Sequence, residues 1–318
     1  MGIKITGNFA TFQKITWKTI PKPQNNTSKF LIIGKNNKSN PSIAKFDLQG
    51  NFLTNSNITQ KNRVRGLASD SNENIYLGID NGQVIKLDKN LNTIWKFTGH
   101  NNYVFSIAVD VSGNVYSAGR DNTLRKIDPN GNEIWKFLEH NSSVFSVAVD
   151  ILGNIYSGGQ DNTLRKIDQN GNQNWKFSKH GSWVFSISID SVGNIYTGSR
   201  DNTVRKFDKY GNEKWIFSGN NWNVNSVAVD SVGNIYSGSR DTTVRKIDPN
   251  GNQIWVFTGH NSEVNSVAVD TNDYVYITGN DGRLIKLDSN GNVIFNVDTT
   301  IGNTFSLAIT PGLLGAGF

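Results

Sequence analysis

Residues 224–257 read VNSVAVDSVGNIYSGSRDTTVRKIDPNGNQIWVF, and this one stretch decides the fold. Four short runs alternate in the manner of strands: VNSVAV, NIYSGS, TTVRKI and NQIWVF. Between them stand DSVG, RD and DPNG, rich in the Asp, Asn, Gly and Pro that tight turns demand. None of the runs is long enough, or spaced at three and four, to compete as a helix. The stretch is therefore a four-stranded antiparallel meander.

The same unit recurs every 40 residues. Asp70, Asp110, Asp150, Asp190, Asp230 and Asp270 close the first strand, and Tyr76, Tyr116, Tyr156, Tyr196, Tyr236 and Tyr276 lie in the second. Asp88, Asp128, Asp168, Asp208, Asp248 and Asp288 close the third, and Trp95, Trp135, Trp175, Trp215 and Trp255 sit in the fourth. A four-strand unit of this length cannot bury both faces of its sheet except against copies of itself, which is the signature of a β-propeller blade. Six units are complete. Residues 30–56 supply only the last three strands of a seventh, and residues 303–310, NTFSLAIT, copy the missing first strand. The expected fold is an all-β, seven-bladed propeller whose C-terminal strand completes the N-terminal blade, leaving no unpaired edge in the ring. An eight-bladed ring would have to recruit residues 14–20 as a separate strand. The chain then divides into an N-terminal arm (1–28), the propeller (29–310) and a C-terminal tail (311–318).

Composition narrows the function classes. With no cysteine, disulfides, thiolate ligands and thiol nucleophiles are excluded. Lys4, Lys14 and Lys18 interrupt the N-terminus, so no signal-peptide core is expected, and no apolar run approaches a bilayer span. A cytoplasmic or virion location follows as the expectation. A net charge of +6 spread over 318 residues is too mild to argue for nucleic acid.

The pattern GH…V.SVAVD..GN.YSGSRD.TVRKID resembles the WD-repeat family. Gly99–His100 and Gly259–His260 match its Gly-His pair, and His140 and His180 keep the histidine. Asp121, Asp161, Asp201, Asp241 and Asp281 match the aspartate of its second hairpin turn. The resemblance implies that His, Asp and a strand hydroxyl form a buried hydrogen-bonded network. The Trp of that family's Trp-Asp pair is replaced, as in Ile127–Asp128 and Phe207–Asp208, which implies a network one member short. The unit also resembles the repeat of pyrroloquinoline-quinone-type propellers. Asp128, Gly131 and Trp135 match its docking motif, which implies that the five motif tryptophans pack between adjacent blades. Neither likeness transfers a function.

The titratable residues argue against catalysis. Of 26 acidic residues, 19 occupy three repeated turn positions, where Asp bonds to the N–H groups of its own turn. The remaining seven form no convergent pair of the kind general acid–base chemistry requires. All four histidines share one repeat position on separate blades, so they do not converge on a metal. The DPNGN turns place Gly131 at position four and offer no Glu at twelve, unlike a helix–loop–helix calcium loop. No catalytic residue, metal or cofactor is expected.

Strand direction places the turns at Arg240–Asp241 and before Val224 at one end of the blade, the top, and the Asp-rich turns at the other. The top carries the residues that break the repeat. Tyr103 and Trp183 stand where other units have Ser143, Asn223 and Glu263, Trp222 lies one position earlier in its own unit, and Arg120, Arg200 and Arg240 are nearby. Aromatic and arginine side chains are the usual anchors of protein interfaces, and an exposed tryptophan has no fold-level role. The alternative is that the rings fold down over neighbouring blades. The expected function is a non-catalytic scaffold that binds a protein partner through this top face. A glycan-binding protein or a phage tail or capsid accessory, its terminal arms docked into a larger assembly, is the competing reading.

Overall fold

The computed structural model describes residues 3–6, 12–14, 30–35, 43–56, 62–299 and 302–309. Seven four-stranded antiparallel blades form a ring, and no helix occurs among the described residues. Blade 1 is composite. Its inner strand Thr304–Ile309 pairs with Phe30–Lys35, followed by Ile43–Asp47 and the outer strand Phe52–Ser56. Blades 2 to 7 run from Val64–Ser69 to Thr93–Phe97, Val104–Val109 to Glu133–Phe137, Val144–Val149 to Gln173–Phe177, Val184–Ile189 to Glu213–Phe217, Val224–Val229 to Gln253–Phe257 and Val264–Val269 to Val293–Asp298. Of the strand expected at residues 14–20, only Lys14 lies within the described residues, and the tail 311–318 lies outside them. Two short strands, Ile3–Thr6 and Phe12–Lys14, form a hairpin whose first strand pairs with the inner strand of blade 2, Ile3 opposite Ser69 and Thr6 opposite Gly66.

The inner three strands are buried almost throughout, and the core is divided into aliphatic layers between neighbouring blades. Adjacent inner strands are also tied by serine: the hydroxyls of Ser106, Ser186 and Ser226 accept the N–H of Val147, Val227 and Val267 in the next blade. At the bottom, each Asp closes its own turn. Asp128 Oδ1 accepts the N–H of Asn130 and Asn132 at 2.9 and 2.8 Å, and Oδ2 accepts the Asn132 amide at 2.9 Å. Asp70 and its five equivalents take one further donor, the O–H of the fully buried Tyr76 class, at 2.9–3.1 Å. Burial first, then the facing carboxylate, pushes these phenols far above their ordinary range. These carboxylates are thus occupied by their own turns.

Neighbouring blades dock through a repeated contact at the bottom rim. Trp95 lies on the Gly131 turn of the next blade and donates its indole N–H to Pro129 O at 2.9 Å, and Trp135, Trp215 and Trp255 repeat the bond at 3.0, 3.0 and 3.3 Å. The turn requires glycine twice over. Gly131 sits at φ +95°, and an added Cβ would stand 3.1 Å from the Trp95 ring. The lysine opposite each ring on the adjacent third strand (Lys86, Lys126, Lys206) reaches carbonyls of the same turns. The tryptophans are half-buried rather than enclosed, because the outer strand forms the rim of the ring. Blade 7 uses Phe295 against Gly50. Only one of the seven junctions breaks the rule: blade 1 offers Thr54 in place of the ring, and the facing turn carries Leu91, buried to 8 % exposure at φ +70°. Leu91 fills the space that the missing ring leaves, at the cost of a left-handed backbone for a branched side chain.

Candidate interaction face

Because the units are near copies, the positions at which they differ stand out. The packing positions hold: Val64, Val104, Val144, Val184, Val224 and Val264 open the inner strands and are all fully buried. The top-face positions do not. The slot of Arg200 holds Asp80, Arg120, Gln160, Arg240 and Asn280 in other blades, and that of Trp183 holds Arg63, Tyr103, Ser143, Asn223 and Glu263. The residue after each opening valine also varies: Arg65, Phe105, Phe145, Phe185, Asn225 and Asn265.

These variable residues assemble into a polarised surface. Phe105, Phe145 and Phe185 are buried and touch in series, with ring centroids 5.0 and 5.5 Å apart. Tyr103 packs edge-on against Phe105 at 6.1 Å, and Trp183 lies 5.5 Å from Phe145 and 6.0 Å from Phe185. Trp183 therefore folds down onto the neighbouring blade and Tyr103 onto Phe105 of its own, both half-buried, whereas Trp222 stands 53 % exposed. The aromatic arc spans blades 3 to 5. Beyond it the same slot turns to amide: Asn225 donates to Val264 O at 3.0 Å, and Asn265 to Thr304 O at 2.7 Å.

Each top-face arginine lies over an aromatic ring. The Arg200 guanidinium is 4.2 Å from the centroid of Trp183, Arg240 5.2 Å from that of Trp222, and Arg120 5.1 Å from that of Tyr103, which Arg65 approaches at 4.5 Å. A guanidinium in cation–π contact still has N–H groups to donate to a further partner. Arg65 pairs with Asp80, and Arg240 pairs with Glu263 at 2.5 Å. Among the described residues neither Arg120 nor Arg200 has a carboxylate partner.

Between blades 5 and 6 the face sinks into a pocket of about 540 Å³. Trp183, Phe185 and Trp222 supply its apolar wall, and Arg200, Arg240, Asn202, Asn221 and Asn223 its polar one. Trp183, Trp222, Arg200 and Arg240, picked out from the sequence, thus come together in one concavity. Tyr103 and Arg120 lie two blades away, joined to it through the phenylalanines. That row was not singled out from the sequence, although its signal was present: a variable column flanked by the fixed Val and Ser columns.

The histidines do something else. His100 Nδ1 lies 2.9 Å from Asp121 and Nε2 2.8 Å from Ser117 Oγ, and His140 repeats this with Asp161 and Ser157 at 2.9 and 2.7 Å. Burial holds His100 and His140 below the ordinary imidazole range, so both rings are neutral at pH 7. Burial pushes the Asp121 carboxyl up, but His100, Thr123 and the Asn101 N–H outweigh it and hold it well below the carboxylate range. The network is not one member short. Arg125, two residues before Ile127 and on the same strand face, reaches Asp121, Thr123 and Glu133, so a guanidinium stands in for the absent indole. Arg165 and Arg205 do the same, and in blade 6, where Asn220 replaces histidine, Arg245 bonds Asn220 and Asp241 at 3.0 and 2.9 Å. Blade 7 keeps the His260–Asp281 contact at 2.9 Å, but Ile277 stands at the Ser117 position and His260 Nε2 has no hydroxyl to meet. In blade 5 the Phe207 ring packs 5.9 Å from His180, whose Nδ1 is left without a partner. These groups are committed to single blades, and no cluster of three or more His, Asp or Glu suited to a metal occurs among the described residues.

Comparison with known families agrees with this geometry. Residues 120–239 match the family described as outer membrane protein assembly factor BamB, a repeat of the pyrroloquinoline-quinone type, and residues 91–128 and 251–287 match the WD domain, G-beta repeat. The chain is a seven-bladed β-propeller of the WD and pyrroloquinoline-quinone-like repeat type. No curated protein matches this propeller. Propellers built from these repeats are commonly interaction scaffolds, and those of the WD type typically bind protein partners and are non-enzymatic. Among the described residues no helix is long and apolar enough to cross a membrane.

Proposed function

We propose that this propeller is a non-catalytic scaffold that holds a protein partner at its top face, through Trp222, Trp183, Arg200 and Arg240, with Tyr103 and Arg120 extending the contact. The supporting observation is the pocket between blades 5 and 6, whose wall takes Trp183, Phe185, Arg200, Trp222, Asn223 and Arg240 from variable columns while the columns that pack the ring stay fixed. An indole left 53 % exposed beside two cations is costly to keep in water and serves no packing need of the ring. Mixed aromatic and cationic patches supply contact area together with charge steering, which is how interfaces obtain both affinity and association rate. The bottom turns are less suited, because their carboxylates are saturated by their own N–H donors. The test is capture of the partner from the native source by the wild-type propeller and by Trp183→Ala/Trp222→Ala. Loss of capture with an unchanged strand signal in circular dichroism is expected, and normal capture by the double variant would refute the assignment.

A further inference from the structure

Resting on the top-face reading, we infer that the pocket between blades 5 and 6 receives an acidic side chain from an extended peptide segment of the partner, with an apolar neighbour lying against the exposed Trp222 ring. Two guanidiniums and three asparagines line the pocket, and no acidic residue is in its wall. Among the described residues, the carboxylate held by these arginines is Glu263, on Arg240. The Arg200 guanidinium lies over the Trp183 ring, 4.2 Å from its centroid, and among the described residues no carboxylate meets it. A guanidinium stacked by its face keeps its planar fork of N–H donors for a carboxylate, which it binds bidentately. The Asn202, Asn221 and Asn223 side chains add neutral donors and acceptors able to bond the flanking peptide groups.

The other anionic classes fit less well. A nucleic-acid strand needs a run of cations along its backbone and open aromatic faces for its bases. Here Arg65 and Arg240 are already paired with Asp80 and Glu263, and Gln160 separates Arg120 from Arg200, so the cations form no track. Trp183 and Tyr103 are not open faces: Arg200 covers the first, flanked by Phe145 and Phe185, and Arg65 and Arg120 approach the second. The same covering works against a sugar ring on Trp183 or Tyr103, and Arg240 lies over the Trp222 ring at 5.2 Å. Within the pocket the exposed Trp222 ring stands beside Arg200, the arginine of its wall without a carboxylate partner among the described residues, which suits one apolar and one acidic side chain in sequence.

A random peptide library displayed on phage, selected against the intact propeller, tests this. Selected sequences are expected to carry Asp or Glu beside an aromatic or aliphatic residue. A synthetic peptide of the consensus should lose roughly tenfold or more in affinity against Arg200→Gln, or when its acidic residue is amidated, with the two losses not adding. Lys96→Gln, the loss of one positive charge from an exposed side chain on the outer strand of blade 2, should leave its affinity unaltered. Selected peptides without acidic residues that still lose binding to Trp222→Ala would overturn the carboxylate assignment and leave the top face intact as the binding surface. Peptides that bind Trp183→Ala/Trp222→Ala normally would overturn both. Binding of oligo(dT) or of array glycans that Arg200→Gln abolishes, with no peptide selected, would overturn the peptide assignment in favour of those ligands.

Discussion

Trp215→Ala tests the docking contact on which the ring depends. The indole lies on the Gly251 turn of the next blade, 6.2 Å from the Tyr196 ring, and donates to Pro249 O at 3.0 Å. A fully buried aromatic removes about 150–250 Å² from water. A half-buried one removes about half of that, which at about 25 cal/mol per Å² comes to roughly 2–3 kcal/mol. The hydrogen bond adds about 1 kcal/mol. The expected loss is therefore about 3–4 kcal/mol, at the lower end of what enclosed aromatics cost. Phenylalanine separates the two contributions. Trp215→Phe keeps most of the ring contact, as Phe295 does against Gly50, and should cost about 1 kcal/mol. Trp175→Phe should cost less still, because the Trp175 Nε1 is buried without an acceptor and its removal relieves an unsatisfied donor. Guanidinium titration followed by far-ultraviolet circular dichroism reads all three. A Trp215→Ala loss below about 1 kcal/mol, or a Trp175→Phe loss equal to that of Trp215→Phe, would refute the reasoning.

Two further outcomes follow from the ring and from its histidines. At the junction of blades 1 and 2, Leu91→Gly should destabilise by about 1–2 kcal/mol, the buried side chain lost outweighing the backbone strain relieved, and Thr54→Trp on top of it should restore the loss by rebuilding the contact of the other junctions; additive denaturation midpoints would show that Leu91 does not fill the place of the ring. Acid should weaken the fold from about pH 6.5 downwards. Burial lowers the pKa of His100, His140 and His180, the last to about 3, so the unfolded chain binds more protons across this window and stability present above it is lost as pH falls. His180→Asn, placing in blade 5 the residue that blade 6 carries as Asn220, should lessen the pH slope by about one proton, about 1.4 kcal/mol per pH unit. Parallel profiles for variant and wild type between pH 6 and 4 would contradict this.

The sequence told much about the blade and less about the surface, for a physical reason. Turn chemistry and two-residue alternation are local, so the Asp turns, the buried tyrosines and the strand order could be read from one unit and multiplied by the period. That the repeated tryptophans lie between blades was legible from the resemblance, but not that each meets the glycine turn of the following unit, as Trp95 meets Gly131. What was not legible depends on contacts between units of different composition. Tyr103 and Trp183 fold inward onto the row of Phe105, Phe145 and Phe185, while Trp222, one position earlier in its own unit, stays exposed. The substitution of Arg125 for the missing indole was hidden for a simpler reason. It lies two residues from the position where the resemblance directs attention, yet on the same face of its strand.

The most direct test of the top-face account is photo-crosslinking in the native source, with a benzophenone amino acid placed at Trp222 on the top or at Val232 on the bottom, both more than half exposed. The account predicts a protein adduct from position 222 that Arg200→Gln diminishes, and none from position 232. An adduct from position 232 with none from position 222 would contradict it.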